Sequence, residues 1–267
     1  DNSYATGAVS GDNRVGGLIG SHSFSAVNNS YATGNVTTGD NSSSIGGLIG
    51  EAYQSTTTNS YATGNVNTGN GSVSVGGLIG KNYGSSVNNS YSISNVSGAT
   101  NVGGLVGLND RSSTVDNSYS TGNVSGSYNV GGLIGANYGS SVNNSYAIGS
   151  VTGSSYIGGL VGISSGGTIT NSFYNRDVVR INGNTSSTGD YSLSNTQFQG
   201  WINNNFTFSI ADFSDEFPLI AGSYQISSLQ GLRDFKMFSN LGLNFTLTQN
   251  IDLASVSNFY IPEFSGS

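Results

Sequence analysis

The chain has 267 residues, of which 41 are glycine and none cysteine; charged residues make up 8%, and the formal net charge is −7. Thin negative charge with no basic run argues against a nucleic-acid partner and against docking on an anionic membrane. Absence of cysteine excludes disulfides and thiolate metal sites, and without a run of 18 apolar residues no bilayer-spanning helix is encoded.

From the first residues onward two blocks recur. Gly-Gly-Leu-(Ile/Val)-Gly begins at Gly16, Gly46, Gly76, Gly103, Gly131 and Gly158, in steps of 30, 30, 27, 28 and 27 residues. Asn-Ser-Tyr keeps the same beat at Tyr4, Tyr31, Tyr61, Tyr91, Tyr119 and Tyr146, and closes as Asn-Ser-Phe at Phe173. A period in this range marks a stacked repeat array with a nearest-neighbour core. Within one repeat, from Asn29 to Asn59, three short extended runs are joined by Gly or Asn. They are too short and too glycine-rich for helices, so each repeat reads as one coil of a right-handed parallel β-solenoid with coils ~4.8 Å apart. The solenoid spans residues 1–174 in about six coils.

Each residue in such an array lies above its counterpart, so columns can be read directly. Assigned to the core are the ladder Tyr4, Tyr31, Tyr61, Tyr91, Tyr119, Tyr146 and Phe173, two Val/Ile columns starting at Val9 and Val15, and the Leu column starting at Leu18. Leu and the Ile or Val after it cannot both point inward along one straight strand. Either one faces out or the strand bends, and the pattern leaves that open. The column Asn2, Asn29, Asn59, Asn89, Asn117, Asn144 and Asn171 is the best candidate for a buried amide ladder. A second Asn column comprises Asn35, Asn65, Asn95 and Asn123. Length changes fall in polar stretches such as 38–42, read as loop.

After Phe173-Tyr174 the beat stops. Residues 175–195 read as polar loop, and 175–222 as a closing cap carrying Phe198, Trp201, Phe206, Phe208, Phe213, Phe217 and Leu219. Residues 223–267 read as a helix–strand segment that could begin a further solenoid unit, making the tail a small α+β capping region. Ser227 with Gln230 fits a capping box, and Leu229, Leu232, Phe235 and Phe238 mark an apolar stripe over 227–239. Asn244 to Leu253 alternates like a strand. Because the chain opens inside a repeat, it reads as part of a longer precursor or as a mature fragment.

No catalytic, cofactor or metal site is expected. Asp12, Asp40, Glu51, Asp110 and Asp116 share no column, whereas glycoside hydrolysis usually needs two carboxylates across a cleft. His22 has no partner implied by spacing. The ligand chemistry best supported is glycan contact. Tyr53, Tyr83 and Tyr138 follow the glycine block at one offset, with Phe24 one place later, and outward-pointing rings would offer apolar faces to sugars.

Asn-Ser-Tyr-Ala-Thr-Gly-Asn-Val followed by Val-Gly-Gly-Leu-Ile-Gly resembles the GLUG repeat of large bacterial surface and secreted proteins, including filamentous-haemagglutinin-like adhesins. The resemblance covers roughly residues 1–174. Tyr191 to Leu219 resembles a segment that closes GLUG blocks, and Ile226 to Leu253 one that opens them. It implies an extracellular or cell-surface, non-enzymatic protein with no cofactor, a rigid stalk presenting binding loops. Its partners would be glycans or proteins of host or neighbouring cells, or copies of itself. The rival readings are a self-assembling filament or surface-layer subunit stacked end to end, and a polysaccharide-active β-helix enzyme.

Overall fold

A computed structural model describes residues 1–185, 190–205, 219–220, 222–227 and 244–250. It divides into two compact units, Asp1–Phe198 and Gln199–Ser267.

The first unit is a parallel β-solenoid of six coils, comprising residues 4–28, 31–58, 61–88, 91–116, 119–143 and 146–170. Coil 2 shows the path. Tyr31–Ala32 is a two-residue strand, Val36–Gly46 a long one, Ile49–Tyr53 forms one wall and Thr56–Thr58 the next. Each pairs in parallel with its counterpart one repeat on, as in Tyr31↔Tyr61, Val36↔Val66, Ile49↔Ile79 and Thr56↔Ser86. In coil 3 the long strand splits into Val66–Asn67 and Val73–Gly76. Residues 38–42, expected as loop, therefore lie within a strand in coil 2. Asp40 there accepts the Asn70 N–H across the coil gap at 2.7 Å.

Two separate interiors run along the unit. The larger joins the Leu column, the Ile or Val after it, and the column Val27, Thr57, Val87, Val115, Val142, which is apolar but for Thr57. The smaller lies in a side lobe, where the Val9 and Val15 columns face each other across the two arms of the long strand. Leu48 and Ile49 are both fully buried, so the choice between them dissolves. The chain turns a corner after Gly46, and residues on either side of a corner can both point inward. Glycine is needed there for close approach. A Cβ on Gly46 would meet the Ile49 carbonyl oxygen at 2.1 Å, and one on Gly47 the Gly77 carbonyl at 2.1 Å and the Ala62 Cβ at 2.9 Å.

Ser30 and Ala32 are buried while Tyr31 between them is half-buried, the alternation of a strand whose serine and alanine face inward. The Tyr column lies beside these two interiors and its burial changes along the stack: Tyr31 and Tyr61 are half-buried, whereas Tyr91, Tyr119 and Tyr146 are buried, as expected of core. Its rings stack from Tyr4 through Tyr31, Tyr61, Tyr91 and Tyr119 to Tyr146, with centroids 4.8–5.2 Å apart and planes within 10°. Tyr4 is 64% exposed and Tyr119 fully buried, and the edge of Phe198 meets Tyr146 at 5.6 Å. Phe173 pairs with Tyr146 in the same sheet and is half-buried. At the next position Tyr174 replaces the small inward residue, and its ring covers Gly159.

The buried amide ladder is not the one expected. Asn29, Asn59 and Asn89 are exposed, and the whole Asn-Ser-Tyr column sits at φ between 45° and 52°. These asparagines make the left-handed corner that their short polar side chain tolerates. The buried ladder is Asn82, Asn109 and Asn137. Asn82 Nδ2 donates to Asn109 Oδ1 at 2.8 Å, and Asn109 Nδ2 to Asn137 Oδ1 at 2.9 Å. Nothing in the repeat blocks flagged this column, because it reads His22, Ala52, Asn82, Asn109, Asn137, Ser164 along the chain.

Serine completes the corners. Ser30 N–H donates to Ser60 Oγ at 3.1 Å while Ser30 Oγ donates to the Asn28 carbonyl at 2.8 Å, and the pattern repeats through Ser60, Ser90, Ser118 and Ser145. A second ladder of the same kind runs through Ser25, Ser55, Ser85, Ser113 and Ser140. Each satisfies a buried backbone N–H that the corner removes from the strand ladder.

Residues 175–195, expected as loop, contain the end of strand Phe173–Asn175, a short antiparallel pair at Arg180–Ile181 and Asn184–Thr185, and a strand at Ser192–Leu193. Helix α1, Asn195–Asn205, follows. Ser194 and Gln197 form its capping box, with Gln197 Oε1 accepting the Ser194 N–H at 3.1 Å and Ser194 Oγ accepting the Gln197 N–H at 3.4 Å. The same S-x-x-Q signal that marks Ser227 and Gln230 was present here. Most of the helix expected over 227–239, and residues 206–218 of the aromatic cap, lie outside the described residues. In the second unit Ser223–Ile226 pairs antiparallel with Leu219–Ile220 and parallel with Phe245–Leu247, the start of the strand expected from Asn244.

Candidate functional site

On the wall that contains Ile49–Tyr53, alternate side chains point outward, and two outward columns run side by side. One reads Ser21, Glu51, Lys81, Leu108, Ala136, Ile163; the other reads Ser23, Tyr53, Tyr83, Asp110, Tyr138, Ser165. Of the four expected glycan-contact residues, three converge. Tyr53 stacks on Tyr83 at 5.5 Å, and Phe24 meets Tyr53 edge-on at 5.4 Å. Tyr138 shares the column but stands two coils from Tyr83, with Asp110 between them.

The stripe also gathers cations. Arg14 Nε lies 2.6 Å from Glu51 Oε2, and Lys81 Nζ lies 3.2 Å from Glu51 Oε1. Lys81 and Arg111 both lie over the Tyr83 ring, at 4.9 and 5.2 Å from its centroid, within cation–π range. These three are all the lysines and arginines in residues 1–174. They sit at different offsets in their repeats, so no repeat pattern links them, and only the winding of the chain brings them together.

Left-handed backbone occurs at corners all along the solenoid, the one beside this stripe included. The corner after this wall needs a left-handed residue, supplied by glycine at Gly84, Gly139 and Gly166. In coil 1 that residue is Phe24, at φ 52° and 73% exposed. In coil 4 the corner holds one residue more than in coil 3, since Tyr83↔Asp110 is followed by Ser86↔Thr114; the extra length carries Arg111 and Ser112 at φ 61° and 59°. Bulky residues in this region are uncommon, and Tyr156, on another column, is a further one at φ 52°.

Elsewhere, His22 Nδ1 is bonded to Ser25 Oγ at 3.0 Å, and burial lowers its pKa from the ordinary 6.5. Among the carboxylates, Asp116 takes amide donors from Asn117 and Asn144. Among the described residues no cluster of three metal-ligating side chains occurs and no helix is long and apolar enough to cross a membrane.

Comparison with known proteins agrees with the coil geometry. The GLUG motif matches residues 11–37, 41–67, 98–125 and 126–152. Searches of curated proteins and of solved structures each gave no match. The stretch between the second and third matches departs from the motif at Ser92-Ile93-Ser94, yet its strands pair in register on both sides, Tyr91 with Tyr61 and Tyr119, so it is a coil of the same array. Four matched segments and the in-register coil between them make this chain a GLUG-repeat protein.

Proposed function

We propose that this solenoid is a rigid, non-enzymatic segment of a cell-surface or secreted protein, a stalk that holds adhesive side chains at fixed spacing for glycans or proteins of host or neighbouring cells. The observation that carries the reading is the parallel, in-register pairing of counterpart strands through all six coils. Identical residues stack rung on rung in the Tyr column, and buried corners are satisfied by serine of the neighbouring coil. Cross-coil ladders of this kind leave few backbone groups for a protease to engage, and parallel rungs resist being pulled apart one at a time. A surface that is mostly Ser, Thr and Asn suits a solvated spacer.

Two measurements test the reading. Antibody against residues 1–174 should label intact source cells or their culture medium, and beads coated with the chain should adhere to glycan-bearing cells. Labelling only after lysis, together with beads that stay free, refutes it.

A further inference from the structure

The geometry points to a ligand class for the aromatic–cationic stripe: we propose that Phe24, Tyr53, Tyr83, Lys81, Arg111 and Arg14 bind an anionic saccharide, with carboxylate or sulfate groups against the cations and sugar rings against Phe24 and the exposed tyrosine edges. The inference rests on reading the solenoid as an adhesive scaffold and specifies what one wall of it holds.

Four observations converge. First, in a chain of net charge −7 all three cations of residues 1–174 are drawn to one wall, where they outnumber the neighbouring carboxylates Glu51 and Asp110. Local positive charge on an acidic protein favours an anionic partner by complementarity. Second, the cations are held in place. Glu51 clamps Arg14 and Lys81 on its two oxygens, and Tyr83 carries Lys81 and Arg111, so little side-chain freedom remains to be lost on binding. Third, Phe24 occupies a left-handed corner that glycine fills in three other coils and Gln54 in coil 2, and at 73% exposure it gains little from burial where it stands. Fourth, the extra residue that places Arg111 beside Tyr83 is a corner insertion, and in repeat arrays such insertions gather on the binding face.

The shape fits a saccharide chain better than a compact anion. Tyr53 and Tyr83 use their ring faces on each other, leaving Phe24 with an open face and the tyrosines with edges. The charged groups come from coils 1, 3 and 4, spread along the wall at multiples of a rise of ~4.8 Å, comparable to the length of one pyranose. A linear sugar lying along the wall would meet one rung per residue.

The test is calorimetry of the full chain with uronate and sulfated oligosaccharides, with neutral oligosaccharides of equal length alongside, at two salt concentrations. Acidic oligosaccharides should bind, more weakly at high salt, and the neutral ones should not. Arg111→Ala and Lys81→Ala should each weaken binding about tenfold, the loss typical of one charge-assisted contact. Phe24→Gly installs the residue that three other coils use, so it should fold at least as well as the parent while binding about tenfold less. Neutral sugars binding as well as acidic ones would overturn the anionic assignment and leave the adhesive scaffold standing. No saccharide bound while coated beads still adhere to cells would overturn the site in the same way. Unchanged affinity in both Phe24→Gly and Arg111→Ala would also overturn it.

Discussion

Replacing Asn109 by alanine separates the two asparagine columns. Asn109 is fully buried, accepts from Asn82 at 2.8 Å and donates to Asn137 at 2.9 Å. Its removal leaves Asn82 Nδ2 its second acceptor, the Ser85 carbonyl at 3.2 Å, but strips the donor from Asn137 Oδ1, on a residue that is itself fully buried. An orphaned buried acceptor costs about 1–3 kcal/mol, and the unfilled volume adds about 1 kcal/mol. The expected loss is therefore about 3 kcal/mol. The control is Asn59→Gly. Asn59 is exposed at φ 49°, donates one bond of 3.2 Å to Asn29, and sits where glycine is unstrained, so its loss should stay within about 0.5 kcal/mol. The assay is urea unfolding followed by amide exchange in coils 3 to 5, because a repeat array can open locally without unfolding as one unit. An Asn59→Gly loss equal to that of Asn109→Ala would refute the placement of the buried ladder.

Three further outcomes are expected. Ala52→Asn should raise the urea midpoint, because Ala52 interrupts the amide column beneath Asn82, whose buried Oδ1 has no hydrogen-bond partner; a midpoint that falls would show that coil 2 has no room for the amide. Gly104→Ala should lower stability by about 3 kcal/mol or more, since its Cβ would meet the Gly132 carbonyl and Ser120 Oγ, each at 2.1 Å; a loss below about 1 kcal/mol in chemical denaturation would contradict that close approach. Burial lowers the His22 pKa below 6.5, so the unfolded chain binds the proton first. Coil 1 should accordingly lose protection as pH falls from above 6.5 toward the folded pKa and level off below it, while His22→Asn should flatten that profile in pH-resolved amide exchange.

How far the sequence reaches depends on which residues repeat. The blocks at a near-constant step carry the coil count, the parallel register and the in-register columns, because a parallel stack places each residue over its twin. They do not carry the direction of a side chain at a corner. Tyr31 stays half-buried between the buried Ser30 and Ala32, while its counterparts Tyr91, Tyr119 and Tyr146 are buried, a difference along one column that identical residues cannot encode. Leu48 and Ile49 look incompatible until the corner between them is seen. The Ser194–Gln197 cap is legible as the S-x-x-Q pattern, outside the repeat blocks.

The sequence alone determined that this chain must stack on itself. Glycine where backbones touch, a branched apolar residue at each wall and a short polar residue at each corner leave a repeated chain little else to do, since local chemistry at one period is all that stacking requires. Only the tertiary structure decided what the stack displays. His22, Ala52 and Asn82 share an interior column without sharing chemistry, and Phe24, Glu51, Lys81 and Arg111 meet on one wall from four different coils. Proximity between coils is set by where the chain turns, and one added residue at the Arg111 corner is enough to bring a new charge onto a neighbouring ring.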